Sequence, residues 1–291
     1  MFAIDRYSKA QSVEDAVKLL VADPEAKLIA GGTDVLIRLH EGSQEFSSLV
    51  DLNGLAALKE ITAEADGTVR IGCLATFSEI MDSDVVNQRV PVIAEAAATV
   101  GGPQLRNVAT MGGNICAGVP CADSAGALLV LEADLEIRGI DGERVVPVVG
   151  FHLGPNRVAL KQGDVLVAFR IRPESYEGFG TAYYKYSMRG AMDIATIGCT
   201  AAVRLEGDKI AELRLAFSVA APTPVRCETA EKAALGQPLS EETLKAIRNA
   251  VAKDVNPRNS WRATKEFRLH VIRTLAQRVV RQAVERAGGK F

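Results

Sequence analysis

Leu28-Ile29-Ala30-Gly31-Gly32-Thr33-Asp34 is a short apolar run that stops at two glycines, a hydroxyl and a carboxylate, and passes at once into a helical pattern. This order of strand, turn and helix start restricts the fold more than any other stretch of the chain. Two adjacent residues without Cβ let the backbone approach a ligand and take φ > 0. Successive N–H groups then converge into an anion-binding nest at the positive end of the following helix. Asn107-Val108-Ala109-Thr110-Met111-Gly112-Gly113-Asn114 repeats the design. A single glycine pair marks an ordinary turn. Two pairs, each flanked by Thr and by Asp or Asn, suit a ligand with two phosphates.

The remaining pattern places these turns on a mixed sheet. Ser12-Val13-Glu14-Asp15 is a helix N-cap with acidic residues in the first turn, Ala16, Leu19 and Leu20 follow at helical spacing, and Asp23-Pro24 ends the helix. Val35, Leu36 and Leu39 continue as a helix, and Leu49 to Leu52 reads as a buried strand. The first glycine turn therefore sits at the C-terminal end of a strand, where open α/β sheets bind ligands. An antiparallel section follows. Leu58 to Ile61 and Val69 to Gly72 flank the hairpin signal Asp66-Gly67. Thr76 to Glu79 forms a capping box, and Pro91 opens a helix with Ile93, Ala96, Ala97 and Val100 on one face. Ala125 to Leu131, after Asp123-Ser124, reads as a buried helix. Strand alternation returns at Leu135 to Arg138, Val145-Val146 and Val165 to Ile171.

Composition changes at Arg172 to Gly178, the best domain boundary. Beyond it Tyr183 to Tyr186, Thr200 to Leu205 and Ile210 to Val219 read as strands, the last two joined at Gly207-Asp208. Helices close the chain, one capped at Ser240 and a longer one with a stripe of Phe267, Val271, Leu275 and Val279, ending at Gly288-Gly289. The fold class is α+β, and 291 residues suit two domains.

Charge and motifs exclude several functions. A net charge of -2 with interspersed signs presents no basic face to nucleic acid or membrane. Met1 to Arg6 holds no apolar core of signal-peptide length, and no run approaches the ~18 apolar residues of a spanning helix, so a cytoplasmic location is expected. Cys73, Cys116, Cys121, Cys199 and Cys227 form no CxxC pair, and His40, His152 and His270 lie in no ligand motif. Serine-triad, HExxH, Walker and GxGxxG patterns are missing. The remaining chemistry is that of a protein orienting a bound dinucleotide.

The stretches AGGTDVLIRLH at 30–40 and GPQLRNVATMGGNICAGVPCADS at 102–124 resemble those of the FAD-binding subunits of molybdenum hydroxylases, closest to those of bacterial xanthine dehydrogenases. The likeness continues through TIGC at 196–199 and APTPVRC at 221–227 to SWRATKEFRLH at 260–270. It implies an FAD-binding domain over 1–175, made of an α/β and a mainly antiparallel subdomain. A C-terminal α+β domain of antiparallel sheet and helices would cover 180–291. By resemblance, Lys27, Leu28, Ile29, Ala30, Gly31, Gly32, Thr33 and Asp34 form a first FAD loop, and Ala109, Thr110, Met111, Gly112, Gly113 and Asn114 a second. Asp123 lies toward the adenosine, Leu166 against the adenine, and Lys185 reaches the flavin from the C-terminal domain. Taken without the resemblance, Leu166 is a core strand residue and Lys185 a solvated charge.

Flavoproteins that attach FAD covalently carry a histidine near the glycine loop. Thr33 and Asp34 stand there, so the implied FAD is non-covalent. The resemblance implies an electron-transfer subunit that passes electrons from iron–sulfur centres through FAD to NAD. The [2Fe-2S] centres would lie on a small partner subunit and the molybdenum cofactor on a large one. Two other readings stay open at this point: the same flavin role in a carbon monoxide or nicotinate type of enzyme, and an assembly subunit that binds no flavin.

Overall fold

The computed structural model describes residues 4–291. Met1 to Ala3, read above for a leader, lie outside the described residues. The chain opens with a parallel three-stranded sheet of β1 (Arg6–Lys9), β2 (Lys27–Ile29) and β3 (Ser48–Asp51), with β3 in the middle. Helix α1 (Val13–Ala22) crosses between β1 and β2. It starts where the Ser12 hydroxyl accepts the Asp15 N–H at 3.0 Å, and it buries Ala16, Val17 and Leu20. Helix α2 (Val35–His40) follows β2, so the first glycine turn leaves the C-terminal end of a parallel strand, as the pattern predicts.

The second sheet is antiparallel, with strand order β4 (Ile61–Ala63), β5 (Val69–Gly72), β10 (Val165–Ile171), β6 (Asp134–Gly139) and β7 (Gly142–Pro147). A small hairpin, β8 (His152–Gly154) and β9 (Arg157–Val158), precedes β10. The Asp66-Gly67 turn joins β4 to β5, with Gly67 at φ +90°. Leu58, expected in the first arm, instead sits in a 3-10 turn at Ala56–Leu58, its N–H donating to the Leu55 carbonyl at 3.0 Å and its carbonyl accepting the Leu74 N–H at 2.7 Å. Between β5 and β6 lie six helices: α3 (Phe77–Asp82), α4 (Asp84–Arg89), α5 (Pro91–Ala98), α6 (Pro103–Arg106), α7 (Met111–Cys116) and α8 (Asp123–Val130). The capping box of α3 is complete, with Thr76 and Glu79 each accepting from the other's backbone.

The C-terminal sheet orders β11 (Phe179–Tyr186), β12 (Ile197–Glu206), β13 (Lys209–Ser218) and β14 (Val225–Arg226), all antiparallel. Helices α9 (Glu228–Ala234), α10 (Glu241–Ala250) and α11 (Lys265–Arg286) complete the chain. Ala201, Val203, Leu215 and Phe217 pack in the core formed with α11, while Ala202 and Ala216 join the core of the first part. Both faces of this sheet are thus covered, and β12 is buried from Ile197 to Val203, as a strand packed on two sides must be.

Helix α8 is the seam. All eight of its residues are buried: Ala125 to Val130 carry no polar side chain, while Asp123 and Ser124 at its start are buried with polar partners. A Cβ on Gly126 would meet Thr200 Oγ1 at 2.5 Å, so glycine permits the close approach of α8 to β12. One expectation fails on α11: Phe267 is half-exposed beside Tyr186, and Arg268 is buried in its place. The i, i+4 series drifts around a helix of 3.6 residues per turn, so its first member leaves the buried face.

Candidate functional site

The first glycine turn carries a row of unengaged donors. Among the described residues, the N–H groups of Gly31, Gly32, Thr33 and Asp34 donate to no protein acceptor. Gly32 is left-handed at φ +72°, which turns the row inward. Gly31 is needed for a different reason: a Cβ there would lie 1.8 Å from the Val108 carbonyl oxygen, so the two glycine loops touch backbone to backbone. Asn53 fastens the turn from behind, its amide donating to the Ala30 carbonyl at 2.7 Å and to Asp51 at 2.8 Å. Helix α2 has only six residues and takes no side-chain cap from Asp34, so the donors at this turn are the local N–H groups rather than the end of a long helix dipole.

The second turn is built differently from the expectation. Its N–H groups are already used: Met111 donates to Ala75, Gly112 to Cys73, Gly113 to Thr110 Oγ1 and Asn114 to the Thr110 carbonyl. Neither Gly112 nor Gly113 is left-handed. This turn is therefore no nest of N–H donors. Gly112 is required because a Cβ would stand 2.5 Å from the Cys73 carbonyl oxygen. Met111 is fully buried, so only its backbone lines the loop, whereas Gly113 offers bare, exposed backbone. Asn114 accepts the Ser124 hydroxyl at 2.7 Å through Oδ1, leaving its amide N–H groups without a protein acceptor among the described residues.

That Asn114–Ser124 bond leads to the start of α8 and a buried polar cluster. Lys185 Nζ lies 2.7 Å from Asp123 Oδ2 and donates to the Thr99 carbonyl at 2.9 Å, while the Tyr183 hydroxyl donates to Asp123 Oδ1 at 2.8 Å. The Lys185 side chain is 7% exposed, so Lys185 is a buried ion-pair partner and not the solvated charge that strand position alone suggests. Burial pushes the Asp123 carboxyl up from its ordinary value, against the pull of the Lys185 ammonium and the Tyr183 hydroxyl. Burial, followed by the field of Asp123 and a smaller one from Asp34, raises the Cys121 thiol, so Asp34, Cys121, Asp123 and Lys185 share one neighbourhood.

Leu166 stands apart, 3% exposed in the core of β10. A register irregularity between Leu166 and Ala168 turns the Val167 carbonyl to the Cys73 N–H at 2.9 Å, which links this strand to the second loop through Cys73. Lys27, Leu28 and Ile29 form β2, and Ala30 and Ala109 lie at the contact of the two turns. Sequence reasoning missed Asn53, whose signal was the Asn53-Gly54 turn dipeptide, and Tyr183, which has no local signal. A cleft of about 520 Å³ lined by Arg89, Glu95, Tyr176 and Arg286 includes no residue of either glycine turn. Among the described residues no group of side chains could hold a metal ion, and no helix is long and apolar enough to cross a membrane.

Known proteins resemble this chain in sequence and in fold. The model of the FAD binding domain in molybdopterin dehydrogenase matches residues 2–174, and that of the CO dehydrogenase flavoprotein C-terminal domain matches 182–283. The chain is 49% identical over 291 residues to the xanthine dehydrogenase FAD-binding subunit of Escherichia coli O157:H7, covering 100% of both chains. It is 32% identical to the carbon monoxide dehydrogenase medium chain of Hydrogenophaga pseudoflava, covering 95% of this chain and 96% of the other. A solved structure of carbon monoxide dehydrogenase from that organism superposes with a TM-score of 0.93 at 31% identity, over 98% of this chain and 99% of that one.

Proposed function

The chain belongs to the family of FAD-binding medium subunits of molybdenum hydroxylases, and from that premise we propose that it holds the flavin of a xanthine dehydrogenase-type complex with NAD as acceptor. Identity of 49% over the full length to a xanthine dehydrogenase subunit favours this reading over the carbon monoxide type, at 32%. The observation that carries the flavin site is the row of unengaged N–H groups at Gly31 to Asp34 packed against the second glycine turn. An assembly subunit without flavin would have no use for it.

The residues fit a dinucleotide. Gly31, Gly32 and Thr33 donate backbone N–H groups to the pyrophosphate, with the Thr33 hydroxyl beside them. Gly113 gives a surface without side chain for the cofactor to lie on, and Asn114 contributes a free amide. Lys185 has three N–H donors and spends two on Thr99 and Asp123, which leaves the third for the cofactor. Asp123 and Tyr183 hold that ammonium in place. FAD, when bound, supplies the redox chemistry, and the chain supplies binding, orientation and charge. We place the division between the flavin-binding and C-terminal units at residues 175–180. Iron–sulfur and molybdenum centres belong on small and large partner subunits.

Acid precipitation of the purified protein should release yellow FAD into the supernatant. Anaerobic mixing with NADH should then bleach the flavin of the isolated chain, which should oxidise no xanthine. If NADH leaves the flavin oxidised while xanthine reduces it in the reconstituted complex, the flavin role stands and NAD is the wrong acceptor. A chain that cannot be reconstituted with FAD overturns the proposal.

A further inference from the structure

We propose that Arg258, Arg262 and Arg268 form a receptor for an oxyanion, a carboxylate or phosphate group that this chain does not itself provide. The inference does not rest on the flavin reading. Arg268, at the start of α11, is 2% exposed, yet its partners are uncharged: Nη1 donates to the Thr196 carbonyl and Nη2 to Ser260 Oγ at 2.8 Å. A guanidinium cannot neutralise itself by losing a proton, so it carries its charge into a buried site, where charges are ordinarily paired. Its charged neighbours instead have the same sign. Burial first, and then Arg258 and Arg262, push its pKa down.

The three arginines are gathered by the irregular segment before α11. Ser260 Oγ accepts both the Arg268 guanidinium and the Arg262 backbone N–H, the latter at 3.2 Å. The Arg262 guanidinium lies over the Trp261 ring, 4.3 Å from its centroid. Arg262 Nε, Arg268 Nε and Thr196 Oγ1 are all buried without a hydrogen-bond partner. Among the described residues none of the three arginines pairs with a carboxylate. Asp193 is engaged by Arg189, and Asp254 by Thr229 and the Ala230 N–H. Glu266, in the first turn of α11, is exposed and pairs with none of them.

Arg258 and Trp261 form the accessible rim, Trp261 at 78% exposure. Arginine and tryptophan are the residue types that carry most binding energy at interfaces, and guanidinium forks match oxyanions bidentately. The oxyanion has two possible sources, a carboxylate on a partner subunit or a free phosphate.

Trp261 is the only tryptophan in the chain, so its fluorescence reports this site alone. The full chain is titrated with inorganic phosphate at constant ionic strength, with sodium chloride as the matched control. A saturable change in Trp261 fluorescence and a rise in Tm are expected, both lost in the Arg258→Gln/Arg262→Gln double variant. In the purified complex, where the Trp261 signal is taken as the difference from a complex carrying Trp261→Phe, a signal that no longer answers to phosphate identifies a partner carboxylate as the natural occupant, and one that still answers identifies the free anion. No phosphate-specific response in the isolated chain, or a response that survives in the double variant, overturns the proposal.

Discussion

Replacing Gly31 by alanine tests the contact between the two glycine turns on which the proposed cofactor site depends. The new Cβ would stand 1.8 Å from the Val108 carbonyl oxygen and 2.6 Å from its carbon. Real Cβ atoms stop at about 3.0 Å, so the two glycine loops must part by at least about 1.2 Å, and both obstacles are backbone that cannot swing aside. Overpacking of this kind costs the fold about 1–3 kcal/mol. The cost to the ligand is larger. A hydrogen bond of about 2.9 Å stretched by that amount is no longer one. Two charge-assisted bonds lost at roughly 1.5–3 kcal/mol each weaken FAD by about 3–6 kcal/mol, or roughly a hundredfold to ten-thousandfold in Kd. Quenching of free FAD fluorescence on titration into apo protein measures the affinity, and calorimetry without FAD measures the cost to the fold. Gly154→Ala is the control, since it lies in β8 outside both glycine turns and its Cβ would meet nothing within 4 Å on backbone outside the left-handed region; FAD affinity there should change by no more than about twofold. If Gly31→Ala binds FAD within that same margin, the two loops do not form the site together.

Gly32→Val places a β-branched residue at φ +72° with Leu36 atoms 3.2 Å from its Cβ; it should cost about 1–3 kcal/mol in thermal unfolding and lose FAD, and an unchanged Tm refutes the strain. Lys185→Met strands Asp123 as an unpaired buried carboxylate and should destabilise by about 3–5 kcal/mol in urea, with Asp123→Leu added to it recovering much of the loss. Strictly additive losses would refute the coupling. Burial holds the His152 imidazole below its ordinary pKa of 6.5, against the Ile115 carbonyl, so the unfolded chain takes up the proton first. Stability should be flat above about pH 6.5 and fall as pH drops from there through the lower folded value, and His152→Gln should flatten that limb of a Tm against pH curve.

Much of the local structure was legible because its causes are local. Ser12, Thr76 and Ser240 cap helices through bonds to the third residue on, and Asp66-Gly67 and Gly207-Asp208 turn the chain where glycine takes left-handed backbone. Helix α4 was not legible, since Ser83 both ends α3 and caps α4 and no glycine or proline separates the two. Nor was the state of Lys185. Nothing local in its strand marks it, and its burial depends on Asp123, 62 residues earlier, and on the Thr99 carbonyl.

The sequence by itself determined that two glycine pairs would sit at strand and helix ends, because the apolar runs stop at them and helical spacing begins just after. It could not tell the pairs apart. Only the tertiary structure decided that Gly32 bends a nest, that Gly31 and Gly112 clear room for the backbones of Val108 and Cys73, and that the donors of the second turn are spent inside the protein. A glycine in the sequence states that no side chain is present. Whether the space is left for a ligand, a carbonyl or a positive φ depends on what distant segments bring to that point. Arg268 follows the same logic: helical spacing marked its turn, but a buried guanidinium bound to Thr196 and Ser260 arises from segments that meet only in the fold.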